Sequence, residues 1–341
     1  MFHLTLPMKD YANYNLQKHN TFGIDVQCQR FVEYNSIEEA QALVQSLTPA
    51  DEPILILGGG SNLLLTKDYK GTVIHSGIKF LKQLDDEHVQ CGSGFGWDDF
   101  VDFCCNHQLY GAENLSIIPG EVGASAVQNI GAYGAEAKDL IDTVEVVEIA
   151  TGEVKTFTNA ECAYSYRQSK FKNEWRDKFL VTSVTYKLSK TYEPRLDYGN
   201  IRRALADKNI TTPSVHELRQ TIIEIRNAKL PDTKIVGNAG SFFMNPIVST
   251  EKYLTLVEQF GDLPHYTIDD THEKIPAGWL IDQCGWKGKN LGKAGVYDKQ
   301  ALVLVNLGGA TGSEIVKLYQ TIQHDVKQKF DINIYPEVNI K

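Results

Sequence analysis

Residues Ile117 to Gly134 read IIPGEVGASAVQNIGAYG. The stretch holds four glycines (Gly120, Gly123, Gly131 and Gly134), three alanines, one serine and a single charge, Glu121. Small residues let a backbone turn tightly and approach a ligand closely. Such a segment offers backbone N–H groups rather than side chains, and successive N–H groups in turns form anion-binding concavities. Two readings follow: a site for a phosphate-bearing cofactor, or a tight buried connection between core strands.

The whole chain sets the frame. Its 341 residues suit two or three domains of roughly 100–200 residues each. Apolar residues make up 42% of the chain, enough for sizeable cores. The net charge is −9 without a basic run, which disfavours nucleic acid and anionic membrane as partners. An anionic ligand would need a local basic site. No apolar run approaches the ~18 residues of a membrane span. The N-terminus MFHLTLPMKD lacks the basic and apolar regions of a leader, so a cytoplasmic protein is expected. The six cysteines (Cys28, Cys91, Cys104, Cys105, Cys162 and Cys284) form no CxxC pair, and read as reduced, mostly buried thiols. The nine histidines make no metal-binding pattern, so no metal is expected.

Outward from the central segment, local signals place elements. Ser36 and Glu39 predict a capping box opening a helix. Pro53–Leu57 reads as a buried strand entering Gly58-Gly59-Gly60-Ser61-Asn62. That loop lacks the third glycine of the dinucleotide fingerprint and the Gly-Lys-Ser/Thr of a P-loop. It is a phosphate-site candidate or a glycine hairpin. Residues 97–107 predict a helix, Thr143–Ile149 and Glu153–Phe157 a hairpin, and Phe179–Leu188 a strand. Tyr164–Phe171 reads as a solvated loop, and Leu196–Gly199 as a turn with an exposed aromatic. Ser214 and Glu217 cap a helix ending at Lys229, and Thr250–Phe260 and Thr311–Phe330 are further helices. Residues 332–340 predict a closing strand with Glu337 among apolar neighbours, a costly place for a carboxylate without a partner or a function.

Seven stretches in this order carry a resemblance: Asn20-Thr-Phe-Gly23, Leu57–Asn62, Ile118–Gly134, Tyr166-Arg-Gln-Ser-Lys-Phe171, Gly240-Ser-Phe-Phe…Asn245-Pro246, Ala277–Asp282 and Pro336-Glu-Val338. From about residue 18 onward the chain resembles the UDP-N-acetylenolpyruvoylglucosamine reductases, the MurB family of peptidoglycan synthesis. Leu196-Asp-Tyr-Gly199 is similar to the subtype with a tyrosine loop.

The resemblance implies an α+β fold: a two-part FAD-binding domain of the vanillyl-alcohol-oxidase-like (PCMH) type plus a C-terminal α+β substrate-binding domain. It implies boundaries of 1–78 with 332–341, 79–230 and 231–331. It implies non-covalent FAD held by Gly58, Gly59, Gly60, Ser61, Asn62, Pro119, Gly120, Gly123, Ala124, Ser125, Ile130, Gly131 and Gly134. NADPH would be the co-substrate, its hydride passing by way of FAD to the methylene of an enolpyruvyl UDP-sugar. Arg167 and Glu337 would stabilise the resulting enolate, Glu337 being protonated or paired, and Ser241 would protonate it. Tyr198, Lys229 and Asn245 would bind the UDP-sugar and the nucleotide. A monomer is expected. Met244 stands where the family usually has lysine, which puts one phosphate contact in doubt. Two alternatives remain: an FAD-dependent oxidase on the same flavin domain, and a non-catalytic nucleotide-sugar-binding protein. Oxidases of that type often anchor FAD through a histidine, and neither glycine segment contains one.

Overall fold

The strand Ile54–Leu57 buries Leu55 and Leu57 on one face and half-buries Ile54 and Ile56 on the other. It runs parallel to Tyr69–Ser76, with Leu57 opposite His75. The computed structural model describes residues 7–341; the reading of the N-terminus as leaderless falls in part on residues outside these. The chain forms two units, one of residues up to Tyr14 with Cys28–Gly59 and Lys70–Arg226, the other of Asn15–Gln27, Gly60–Tyr69 and Asn227–Lys341.

In the first unit a four-stranded sheet has the order Lys9–Asn15, Gln27–Tyr34, Tyr69–Ser76, Ile54–Leu57. The helix Ile37–Ser46 covers it through Ala40, Leu43 and Val44, which join Val32, Tyr34 and Ile74 in one core. Ser36 caps this helix by accepting the Glu39 N–H at 3.2 Å. The Glu39 carboxylate does not close the expected box; it takes the N–H groups of Met8 and Asn35 instead, at 2.9 and 2.7 Å.

A second, antiparallel sheet orders Val154–Thr158, Ile141–Glu148, Phe179–Lys187, His88–Gly92 and Leu81–Gln83. The predicted hairpin is there, with Val144 opposite Phe157. Helices Trp97–Asn106 and Val122–Gln128 pack on this sheet through Trp97, Phe100, Val122 and Ala126, around the fully buried Tyr186. Helix Val122–Gln128 lies inside the glycine-rich segment, where the sequence suggested only turns. Helices Ile201–Asp207 and Val215–Lys229 complete the unit through Ile201, Leu205, Leu218 and Ile222. The shorter of these, Ile201–Asp207, had no sequence signal strong enough to place it.

The second unit holds an antiparallel sheet of Gly237–Ser241, Val303–Asn306, Ala294–Val296 and Asn290–Leu291. Helix Gly312–Phe330 carries a complete capping box, Thr311 to Glu314, and buries Ile315, Leu318, Ile322, Val326 and Phe330. A smaller sheet orders Ile247–Ser249, His272–Lys274 and Tyr266–Asp269. The expected closing strand shrinks to Asn339–Ile340, parallel to Leu63–Leu64. Ile332, Ile334 and Val338 are buried, but the backbone between them bonds elsewhere: Glu337 N–H donates to Phe242 and Tyr335 C=O accepts from Met244.

Candidate active site

The two glycine loops of the first unit touch backbone to backbone. A Cβ on Gly59 would stand 3.1 Å from Cα of Gly120, and one on Gly58 3.1 Å from Cβ of Ala124. Gly123 cannot grow a side chain either, because Ser93 Cβ lies 2.8 Å from the position it would take. Ser125 faces the core: its hydroxyl donates to Val122 C=O and shares a 2.8 Å hydrogen bond with Tyr186. Its side chain therefore fastens the helix rather than reaching outward. The same segment concentrates backbone strain. Ile117, Asn129 and Tyr133 have φ of 48°, 46° and 48°, a region non-glycine residues rarely occupy and which clusters at functional sites.

Arg167 also has a positive φ, 56°. Its Nη2 donates to Gly131 C=O at 2.7 Å, and its guanidinium lies 5.5 Å from the Tyr166 ring centre. The surrounding loop is docked rather than solvated: Ser169 Oγ donates to Val127 C=O and Asn129 Nδ2 to Ser165 C=O. Tyr198 is half exposed, yet its Cβ would contact a side chain on Gly134 at 3.4 Å, and a Cβ on Gly199 would lie 3.8 Å from the Tyr133 ring. Asn114 Nδ2 bridges the two loops by donating to Tyr133 and Arg195 C=O at 2.8 and 2.9 Å. Sequence reasoning missed Asn114, whose only signal was an amide beside a glycine-rich run. Arg167, Tyr198 and the Pro119–Gly134 residues thus share the first unit.

The second unit brings Ser241, Glu337 and Asn62 together. Ser241 ends the strand Gly237–Ser241 and is exposed. The next residue, Phe242, accepts the Glu337 N–H at 2.8 Å, and Phe243 bridges Pro336. Asn62 Nδ2 donates to Glu337 C=O at 3.4 Å. Asn245 Oδ1 accepts the Ala277 N–H at 2.9 Å, at the start of helix Ala277–Gln283. Lys229 is exposed at the end of its helix.

Asn20-Thr-Phe-Gly23, which reads as a plain turn, fastens the Ser241 strand. Thr21 N–H donates to Gly60 C=O at 3.1 Å and its hydroxyl to Asn238 C=O at 2.6 Å. Phe22 C=O lies 2.1 Å from where a Cβ on Gly237 would be. Only a glycine fits there.

Comparisons with known proteins bear on this geometry. Residues 28–158 match the FAD binding domain family, and residues 231–341 match the C-terminal domain of UDP-N-acetylenolpyruvoylglucosamine reductase. A reductase of that name from Bacteroides fragilis is 52% identical over 96% of this chain and 98% of its own. The chain belongs to the UDP-N-acetylenolpyruvoylglucosamine reductase family. A Flavobacterium johnsoniae member of the reductase family is 44% identical, over 98% of this chain and 100% of its own. The crystal structure of the Thermus caldophilus reductase has the same fold at a TM-score of 0.68, with 21% identity and 98% of each chain covered. The chain is an oxidoreductase of α+β class, with an FAD-binding domain and a C-terminal reductase domain.

The residues of this reductase fit FAD. Among the described residues, the N–H groups of Gly59 and Gly120 donate to no backbone or side-chain acceptor. Both glycines are half-buried, and two opposed backbone loops with unspent donors suit a pyrophosphate. Beneath them lies a network with no signal in the sequence. His75 Nε2 is 3.1 Å from Glu121, and its Nδ1 is 3.0 Å from Glu33. Lys9 Nζ contacts the other Glu33 oxygen at 2.5 Å. Burial alone would lower the imidazole pKa, but the hydrogen bonds to Glu121 and Glu33 overturn that and raise it to about 9. Glu33 falls to about 2, chiefly through its hydrogen bond to His75. A charged imidazole therefore neutralises Glu121, the carboxylate beside Gly58 and Gly59.

All six cysteines are free thiols, five of them buried and Cys284 half-buried. Among the described residues no cluster of three metal-ligating side chains occurs.

Proposed function

We propose that this chain reduces the enolpyruvyl UDP-sugar UDP-N-acetyl-3-O-(1-carboxyvinyl)-glucosamine to UDP-N-acetylmuramate with NADPH, in peptidoglycan precursor synthesis. Bound FAD supplies the hydride relay between NADPH and the enolpyruvyl methylene. Adding hydride at the methylene pushes the electron pair into the adjacent carboxylate, and the resulting dianion needs fixed positive charge and donors. Arg167 offers a planar fork that matches the carboxylate. Glu337 shares the load as a protonated or paired group. Ser241 gives its hydroxyl proton to the second carbon; one positioned acid contributes about 10²–10⁴-fold. Tyr198, Lys229 and the Asn245 NH2 hold the diphosphate and the nucleotide.

The observation that supports this reading is the bond from Glu337 N–H to Phe242 C=O, the residue after Ser241, which ties together the two backbone segments that carry the proposed acid and the proposed carboxyl. The assignment of 1–78 with 332–341 and 79–230 to FAD, and of 231–331 to the UDP-sugar, belongs to the same proposal, as does a cytoplasmic monomer without nucleic acid or membrane partners. Among the described residues no helix is long and apolar enough to cross a membrane.

Mass spectrometry of a reaction with NADPH and the enolpyruvyl UDP-sugar tests it. A product heavier by two hydrogens, formed one for one with NADP, is expected. Peroxide formation from NADPH and oxygen, with the sugar unchanged, would establish the oxidase instead. Tight sugar binding with no turnover would establish the binding protein.

A further inference from the structure

The two stretches assigned to FAD, residues 58–62 and 117–134, contain no lysine or arginine, and their single charge is Glu121. Its Oε2 lies 3.6 Å from where a Cβ on Gly58 would be, and its Cγ 3.8 Å from the corresponding position on Gly59. A pyrophosphate held between these loops would therefore meet a carboxylate of its own sign. Glu121 is half-buried, so water screens that repulsion only in part.

Among the described residues His75 is the only cation paired with Glu121. It is buried on the strand Tyr69–Ser76. Nε2 faces Glu121 at 3.1 Å and Nδ1 faces Glu33 at 3.0 Å. An ionised carboxylate only accepts hydrogen bonds, so both ring nitrogens donate, and only the imidazolium carries two N–H groups. The charged and titratable groups around it are Glu33 on strand Gln27–Tyr34, Lys9 on strand Lys9–Asn15 and Glu121 from the glycine-rich segment. Tyr34 nearby stays a neutral phenol, its pKa pushed up to about 12 by burial. With the imidazole charged, two cations balance two carboxylates. With it neutral, Lys9 remains on Glu33 and Glu121 is left as a net negative charge.

We propose that His75 is a positioning residue for the cofactor: through its ion pair with Glu121 it cancels the negative charge beside the glycine loops and so sets the affinity for FAD. The inference rests on the assignment of those loops to the pyrophosphate. It also gives FAD binding a pH dependence of definite sign. The cofactor favours the protonated imidazole, so affinity is complete at neutral pH and falls as pH rises through about 9.

Titration of FAD into flavin-stripped, full-length protein, followed by flavin fluorescence, tests this in wild type, His75→Gln, Glu121→Gln and the double variant. At neutral pH His75→Gln should weaken FAD roughly 10- to 100-fold, the effect of one uncompensated charge beside the phosphates. Glu121→Gln should bind FAD as tightly as wild type or more tightly, and the double variant should recover most of the loss. A merely structural contact predicts otherwise, with both single variants weaker and the double variant no better. Unchanged affinity in His75→Gln, weaker binding in Glu121→Gln, or a double variant no tighter than His75→Gln overturns the proposal. Should His75→Gln not fold, Glu121→Gln and the pH profiles decide. The alkaline fall in wild-type affinity should move to lower pH in Glu121→Gln, where one of the two carboxylates holding the proton is gone; identical profiles overturn the proposal. A folded wild type that binds no FAD overturns the loop assignment as well, which separates the two failures.

Discussion

His75 Nε2 stands 3.1 Å from Glu121, the single charge of the glycine-rich segment. That contact joins the first sheet to the loop that would hold a pyrophosphate. His75 is 7% exposed, so its charge survives only because Glu121 and Glu33 flank it.

The pH dependence follows with a definite sign. The folded pKa of His75, about 9, lies above its ordinary 6.5, so its contribution to stability is complete below pH 6.5 and is lost as pH rises through 9. Glu33, about 2 against 4.5, contributes above pH 4.5 and loses its effect as pH falls through 2. Removing the central cation leaves half-buried Glu121 without its ion pair and Glu33 with Lys9 alone, so His75→Gln should cost about 1–3 kcal/mol near pH 6. Thermal and urea unfolding of both proteins from about pH 5 to about pH 9.5 should show that gap shrinking. A gap independent of pH would remove the charged imidazole from the account.

Gly59→Ala should weaken FAD binding at least about tenfold while leaving the chain folded, since its Cβ would press on the Gly120 backbone at 3.1 Å, tighter than ordinary contact. Flavin retention on dilution and the dissociation constant of reconstituted protein measure this. Full retention would mean that the two loops do not cradle the cofactor.

Some of this arrangement is legible in sequence because it is local. Ser214 with Glu217 and Thr311 with Glu314 announce helices three residues ahead, and both boxes form. The period-two alternation of Thr143–Ile149 likewise gives its hairpin. Helix Val122–Gln128 was hidden because Gly123 reads as a loop residue; it is glycine for a distant reason, the close approach of Ser93. His75 sits in an ordinary strand, and its partners are 42 and 46 residues away, so nothing local marks it. Asn20 and Thr21 look like a turn until their acceptors, Leu16, Ile24, Gly60 and Asn238, are known. The proposed roles of Ser241, Arg167 and Glu337 came only through resemblance, because no spacing links a serine, an arginine and a glutamate so far apart in the chain.

Ser241→Ala should leave flavin reduction by NADPH unchanged and slow reoxidation by the enolpyruvyl sugar by at least ~10²-fold, the worth of one general acid. Arg167→Ala should share that pattern. Anaerobic stopped-flow absorbance separates the two halves. Equal slowing of both would show a general structural defect and remove Ser241 from proton transfer.

Tyr198→Phe removes one hydroxyl from a half-exposed ring. One hydrogen bond is worth about 0.5–1.5 kcal/mol, so sugar affinity should fall roughly two- to twelvefold. Calorimetry that finds wild-type affinity would take the Tyr198 hydroxyl out of the binding site.

The visible spectrum of the purified protein under argon tests the central claim most directly, first with NADPH and then with the enolpyruvyl UDP-sugar. A flavin spectrum that bleaches with NADPH and returns on adding the sugar is the predicted result. A folded protein without flavin, or a bleached flavin that oxygen restores and the sugar does not, would contradict it.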